Sequence, residues 1–285
     1  MCLSPICVPV RVSDENGKIV AKEFITVRCG HCVECESQRA SEWSHRIMDE
    51  LSLHKEAFFL TLTYNDDLIP IDHNLCKRDV QLFIKRLRKH ISPTKIRYFM
   101  CGEYGSKNER PHYHLLIFGW KPDDLSLCPW QDRKSKNILY VSPLIDRLWS
   151  IKHRRKEIYH SLGFHSILVK IDLEVARYCS KYMQKFNSGV DREVKPYVAM
   201  STNPGIGHGA IDLNSLDSDR IYHRGKSCPL PRYYLKVMEK EWGVDTSKVK
   251  LDRLTLAELK DMGFVVSPGI RKKLQQQADF LNRRS

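Results

Sequence analysis

Pro111-His112-Tyr113-His114-Leu115-Leu116-Ile117-Phe118-Gly119 decides how this chain is read. A turn-forming proline leads into alternating histidines, and a run of large apolar residues closes on glycine. The pattern predicts a buried β-strand bounded by breakers. Strand side chains alternate between faces, so His112 and His114 project from the same side. Two imidazoles on a stiff, well-packed strand can share one ion.

Immediately upstream, Ile96 to Cys101 reads as a second strand, followed by Gly102-Glu103-Tyr104-Gly105 and a polar turn. The two strands form an antiparallel hairpin with a long loop. Glu103 starts that loop at the end of the sheet where His112 lies. A carboxylate there can complete a two-imidazole, one-carboxylate site with open positions; a solvated loop acid is the plainer alternative. Further upstream, Phe58 to Tyr64 is an aromatic and β-branched strand. Its Thr61 and Thr63 share a face with Phe59, where hydroxyls can reach a phosphate or simply pack.

Between these strands the spacing predicts an amphipathic helix over 79–91, with Val80, Phe83, Ile84, Leu87 and Ile91 as its apolar stripe. Lys85, Arg86, Arg88 and Lys89 occupy the remainder. Such a face can be merely solvated or can contact phosphates. Residues 120–160 read as an irregular, proline-punctuated insertion ending in a short basic helix around Asp146–Tyr159.

Downstream, Gly163 to Ile171 predicts another strand, and Asp172 is a good N-cap for the helix that follows. That helix carries Tyr178 and Tyr182 one turn apart, each followed three residues later by a lysine, Lys181 and Lys185. A phenol with an ordinary pKa near ~10 becomes a usable nucleophile beside a cation or metal. The plainer reading makes Tyr182 part of a core face with Val175, Cys179 and Phe186. Beyond Gly189 the signals weaken. The loop Pro204-Gly205-Ile206-Gly207-His208-Gly209 is glycine-rich but follows no clear strand and lacks the lysine of a phosphate loop.

The formal charge of +13 over 285 residues suits a polyanion, and nucleic acid is the commonest one. The excess is concentrated. Lys77 to Arg97 holds eight Lys/Arg against the single acid Asp79, and Arg147 to Lys156 holds five, with Glu157 just beyond. No apolar run is long enough to span a membrane, and the first residues lack the pattern of a secretory signal. Retention in the cytoplasm is therefore expected. Ten cysteines then signify reduced thiols, ligating metal where they cluster. Cys29, Cys32 and Cys35 form a Cys-x-x-Cys-x-x-Cys that can wrap a tetrahedral Zn²⁺ with a fourth ligand, for which Cys2 and Cys7 are better candidates than His31. Buried thiols on one helix side, or an iron–sulfur cluster, are the alternatives.

A strand at Phe58–Tyr64, a Pro-His-Tyr-His strand and a later helix with Tyr-x-x-x-Tyr and lysines occur here in order. In that order they resemble the HUH endonucleases, the nick-and-rejoin enzymes of rolling-circle replication. The likeness is closest to the replication initiators of microviruses, above all the gokushovirus-like single-stranded DNA bacteriophages. Those also begin Met-Cys, carry the three-cysteine motif before a Trp-bearing helix and have a Pro-Gly-Ile-Gly loop.

The resemblance implies that His112 and His114 hold Mg²⁺ or Mn²⁺ with Glu103 as third ligand. It makes Tyr178 and Tyr182 paired nucleophiles, with Lys181 and Lys185 orienting the phosphate or assisting proton transfer. The partner it implies is single-stranded DNA at a viral origin, with the host replication machinery, in the host bacterial cytoplasm.

Two other classes compete. A histidine-triad nucleotide hydrolase needs a third histidine where Leu116 stands. A non-catalytic, zinc-containing DNA-binding protein would not need an acid, two histidines and a tyrosine pair in order.

The expected architecture is α+β: a central antiparallel sheet of about five strands with helices on one face, and the tyrosine helix crossing near the histidine strand. The expected organisation is a Cys-rich segment over 1–57, an endonuclease domain over 58–190 and a mostly helical extension over 191–285.

Overall fold

The computed structural model of the protein describes residues 2–13, 19–105, 108–131, 137–152, 159–181, 193–223, 225–250 and 252–253. The chain divides into two compact units, Met1–Arg39 with Met238–Ser285, and Ala40–Val237. In the smaller unit β1 (Ile6–Ser13) pairs antiparallel with β2 (Ile19–Val27). The helix α1 (Val33–Ser52) starts earlier than the apolar spacing from Gln38 suggests, because the Cys32 carbonyl already accepts the Glu36 N–H at 3.0 Å.

The larger unit is built on β3 (Ala57–Thr63), α2 (Lys77–His90), β4 (Arg97–Tyr104) and β5 (Pro111–Phe118). Then come β6 (Ser126–Leu127), β7 (Tyr140–Val141), α3 (Pro143–Leu148), β8 (Ser150–Lys152) and β9 (Tyr159–Ser161). The chain continues through β10 (His165–Leu168), α4 (Leu173–Lys181), β11 (Tyr197–Met200) and α5 (Ser215–Ser218). A hairpin of β12 (Arg220–His223) and β13 (Lys226–Pro229) precedes α6 (Arg232–Trp242).

The fold is α+β, with seven antiparallel strands in the order β11-β4-β5-β3-β10-β7-β6. The long strands are those read from the sequence; two-residue strands β6 and β7 extend one edge and β11 the other. The mostly helical extension expected over 191–285 is instead mixed across the described 193–250, and 254–285 lie outside the described residues. No described helix is long and apolar enough to cross a membrane.

Helices cover both faces of the sheet rather than one. Tyr113, Leu115 and Ile117 of β5 share a core with Phe58, Leu60 and Leu62 of β3 and with Val80, Phe83, Ile84 and Leu87 of α2. Leu116 and Phe118 point the other way and pack with Phe59, Phe99, Ile47 and Met48 of α1, and Leu173, Ala176 and Cys179 of α4. The unbroken apolar run Leu115–Phe118 is the sequence trace of this double burial.

The basic helix expected over 146–159 is also revised. α3 ends at Leu148, and β8 and β9 form a hairpin. Trp149 turns the chain: it is fully buried, stacks near Tyr64, Phe83 and Tyr113, and its indole N–H donates to the Thr63 carbonyl at 2.9 Å. Residues 153–158 lie outside the described residues.

The α1 residues from Ala40 onward carry a buried polar layer that docks the glycine-rich loop. Arg46 sits 4.0 Å over the Trp43 ring and 4.3 Å over the Tyr233 ring, and donates to the Ile206 carbonyl at 2.9 Å. Glu50 accepts the Gly207 N–H at 2.7 Å, and the Tyr233 hydroxyl accepts the Gly205 N–H at 2.9 Å. Burial alone would raise the Glu50 pKa, but hydrogen bonds from Arg97, Gly207 and His54 outweigh it and lower the pKa. These contacts consume the loop's amides, so the loop is a docking element rather than a phosphate cradle. Gly207 has φ +78°, and a Cβ there would run into the Tyr234 hydroxyl. Gly207→Ala should therefore cost more than about 2 kcal/mol, through strain and a displaced hydroxyl. A urea-unfolding midpoint equal to the unmodified chain's would refute this.

His45 lies in the same layer, 0% exposed, with neither ring nitrogen partnered among the described residues. Burial, reinforced by the neighbouring His223, pulls its pKa from 6.5 down to about 4. The unfolded chain binds that proton first, so the stability tied to neutral His45 is complete above pH 6.5 and is lost as pH falls toward 4. The loss amounts to at most about 3 kcal/mol. Urea unfolding of His45→Leu should show a flatter pH dependence across this window; identical slopes would reject it.

Candidate active site

β5 lies between β3 and β4, and the register of these pairings assembles the site. His112 faces Glu103 of β4 and Thr63 of β3, while His114 faces Cys101 and Thr61. Glu103 is therefore on a strand, directly opposite His112, rather than at the start of the loop. All three side chains emerge on the α1/α4 side of the sheet.

The Glu103 Oε1 lies 2.8 Å from His112 Nε2 and 3.2 Å from His114 Nε2. Glu103 is 4% exposed and His114 5%. The two imidazoles stand nearly perpendicular, with centroids 4.9 Å apart. Each ring is held from behind: His112 Nδ1 contacts the Arg110 carbonyl at 3.0 Å, and His114 Nδ1 the Thr61 hydroxyl at 3.0 Å. A carbonyl only accepts, so His112 Nδ1 carries a proton and, in the neutral ring, Nε2 presents a lone pair.

The consequence is electrostatic. Two imidazole nitrogens converge on one buried carboxylate oxygen, and a buried anion without a compensating cation costs several kcal/mol. Burial alone would raise the Glu103 pKa, but the hydrogen bonds to His112 and His114 dominate and hold it well below the usual carboxylate range. Positive charge is required between these atoms. Around a small divalent ion with bonds of about 2.1 Å, neighbouring octahedral ligands stand about 3 Å apart. The observed 2.8 and 3.2 Å separations match that spacing, and the candidate ligand atoms of Glu103, His112 and His114 all lie within 4.8 Å of one another. The donor set thus fits a divalent cation such as Mg²⁺ or Mn²⁺.

Asp172 caps α4 as its sequence suggests, its Oδ1 accepting the N–H groups of Glu174 and Val175 at 2.9 Å each. The helix carries Tyr178 to the histidine strand. The Tyr178 ring meets His114 edge-on at 5.5 Å and Phe59 at 6.1 Å, and Phe59 in turn stacks on His114 at 5.4 Å. Tyr178 is 37% exposed, so an incoming strand can reach it. Lys181 is exposed at the end of α4, while Tyr182 and Lys185 lie outside the described residues.

Other residues singled out in the sequence fall elsewhere. α2 packs on the sheet face opposite the histidine pair. Its Lys85, Arg88 and Lys89 are exposed, but Arg86 donates to the carbonyls of Leu148 and Ser150 at 3.0 and 2.6 Å and braces α3. Leu116 is fully buried where a histidine triad would need its third imidazole. Cys2, Cys29, Cys32 and Cys35 cluster within the smaller unit. Sequence reasoning missed the orienting roles of Thr61 and the Arg110 carbonyl. Thr61 is 53 residues from His114, and only strand register brings them together.

A family model described as replication-associated protein ORF2 matches residues 57–187. The replication-associated protein VP4 of Bdellovibrio phage phiMH2K is 28% identical over 303 residues, covering 99% of this chain and 90% of the relative. The replication-associated protein ORF2 of Spiroplasma virus 4 is 28% identical, covering 80% of this chain and 72% of the relative. The replication-associated protein ORF4 of Chlamydia phage 1 is 32% identical over 142 residues, covering 48% and 35%. No solved structure matches the chain.

Proposed function

The chain is a relative of the phage replication-associated proteins, and we propose that in initiating replication it nicks and rejoins origin DNA through a phosphotyrosine. The observation that carries this reading is the convergence of Glu103, His112 and His114 beside the exposed Tyr178. The nuclease chemistry is assigned to residues 58–190, preceded by the Cys-rich segment over 1–57 and followed by the extension over 191–285.

A divalent ion, Mg²⁺ or Mn²⁺, held by His112, His114 and Glu103 would supply Lewis acidity at the scissile phosphate. The Arg110 carbonyl and Thr61 fix both imidazoles, so the ligands are set before DNA arrives. The Tyr178 oxygen attacks phosphorus, its proton passing to solvent or to a neighbouring base. The bond from phosphorus to the 3′ oxygen breaks, and that oxygen takes up a proton. The products are a 5′-phosphotyrosine and a free 3′-hydroxyl. One phosphoester replaces another, so a later 3′-hydroxyl can reverse the step and rejoin the strand. Tyr182 would be the second nucleophile, and Lys181 and Lys185 would orient the phosphate.

Single-stranded DNA at the viral origin is the substrate in this reading, with the host replication machinery extending the free 3′ end in the host cytoplasm. The exposed Lys85, Arg88 and Lys89, on the far sheet face, would hold phosphates away from the cutting site, and binding would weaken with salt. The test is incubation with single-stranded origin oligonucleotides and Mn²⁺, followed by denaturing electrophoresis. A chain–DNA adduct is expected. Salt-sensitive binding with neither cleavage nor adduct would instead indicate the non-catalytic, zinc-containing DNA-binding protein.

A further inference from the structure

We infer that Cys2, Cys29, Cys32 and Cys35 bind one structural zinc ion. The sulfurs of Cys2 and Cys29 are 3.5 Å apart, those of Cys32 and Cys2 3.8 Å, and those of Cys29 and Cys35 4.0 Å. All four lie within 4.8 Å of one another. A tetrahedron with Zn–S bonds of about 2.3 Å has edges of about 3.8 Å, so the four sulfurs are already placed as its corners. The same separations are nearly twice an S–S bond, which needs about 2.05 Å, and all four thiols are free.

The backbone around the cluster is arranged for anionic sulfur. Cys29 Sγ accepts the N–H groups of His31 at 3.4 Å and Cys32 at 3.3 Å. Cys2 Sγ accepts the Cys29 N–H at 3.3 Å, and Cys32 Sγ accepts the Leu3 N–H at 3.3 Å. Gly30 makes this knuckle possible: its φ of +77° lets two successive amides turn back to the Cys29 sulfur. Its carbonyl is tied to Arg39 at 2.9 Å, which brings a cation near the thiolates. Cys35 lies in the first turn of α1, where the helix dipole also favours negative charge. Outer contacts of this kind orient ligands and compensate their charge in metal–thiolate sites.

The geometry also settles the fourth ligand. Cys7 is exposed on β1 and outside the cluster, and His31 contributes its backbone N–H. An all-sulfur tetrahedral set selects zinc or iron over harder ions. Binding releases the thiol protons to solvent, leaving four thiolates on the ion. The ion would pin residue 2 to the start of α1, closing a loop of 27 residues between Cys2 and Cys29. Small units with little core commonly gain their stability from such a staple.

The test is elemental analysis of the full chain, produced with zinc present and purified reduced and free of chelators. One equivalent of zinc is expected, retained in Cys7→Ser and in a His112→Ala, His114→Ala chain, and lost in Cys2→Ser or Cys32→Ser. Exchange for Co²⁺ in the unmodified chain should give the intense near-ultraviolet absorption of sulfur-to-cobalt charge transfer, which stands even if a cysteine variant fails to fold. Absence of zinc, iron with labile sulfide in its place, zinc unaffected by Cys32→Ser, or a mapped Cys2–Cys29 disulfide would each overturn the assignment.

Discussion

Replacing His114 by alanine should abolish DNA cleavage and leave salt-sensitive DNA binding largely intact. His114 is one of three groups converging on the candidate metal position, with Nε2 3.2 Å from Glu103 Oε1. His114 and Glu103 are both nearly fully buried, which leaves little room for a substitute ligand to enter from solvent. Losing one preorganised electrostatic group of this kind typically costs about a hundredfold to a thousandfold in rate. Removing a ligand also lowers ion occupancy, so the loss should be at least that large. Phosphate contacts, by contrast, come from exposed cations such as Lys85, Arg88 and Lys89, which are on the other face of the sheet. The measurement is cleavage rate against Mn²⁺ concentration alongside binding at two salt concentrations. A thermal melt must accompany it, because His114 also stacks on Phe59. Cleavage at the unmodified rate by a folded His114→Ala chain would remove the metal site from the mechanism.

The Tyr178→Phe, Tyr182→Phe double variant should lose the covalent chain–DNA adduct, with a fall in joining of at least about a thousandfold, as expected when a nucleophile is deleted. Phenylalanine keeps the Tyr178 ring against His114 and Phe59 and deletes only the hydroxyl. The fold and the candidate metal site should therefore be unaffected, which separates chemistry from packing. Peptide mapping of the adduct from the unmodified chain should place DNA on one of these two tyrosines. An adduct that persists in the double variant would refute both as nucleophiles.

Much of the framework was legible locally. The stripe Val80, Phe83, Ile84, Leu87 and Ile91 is buried, and α2 forms where its 3.6-residue period predicts. Asp172 caps α4, because a cap is a contact over two or three residues. The three long strands were readable from breakers and β-branched or aromatic runs, and the resemblance to phage replication initiators is matched by relatives along the chain. Illegible were the features that depend on distant partners. The segment after Leu148 has helical composition but becomes a hairpin, since burying Trp149 against Tyr64 and Tyr113 reverses the chain. Gly205 and Gly207 suggest ligand binding in isolation, whereas their amides are taken by Tyr233 and Glu50.

For the site itself the division is sharp. Alternation on a single strand places His112 and His114 on one face, and the sequence determined that without help, because the period of a strand is a local property of the backbone. It also determined that a tyrosine helix follows. That Glu103 sits across from His112, that Thr61 and the Arg110 carbonyl hold the rings, and that Tyr178 rather than some other aromatic reaches His114 were decided by tertiary structure. Each depends on the register of paired strands or the seat of a helix on the sheet. A one-residue slip would turn every side chain to the opposite face, and that register is fixed by burial on both sides of β5, a property of the whole core.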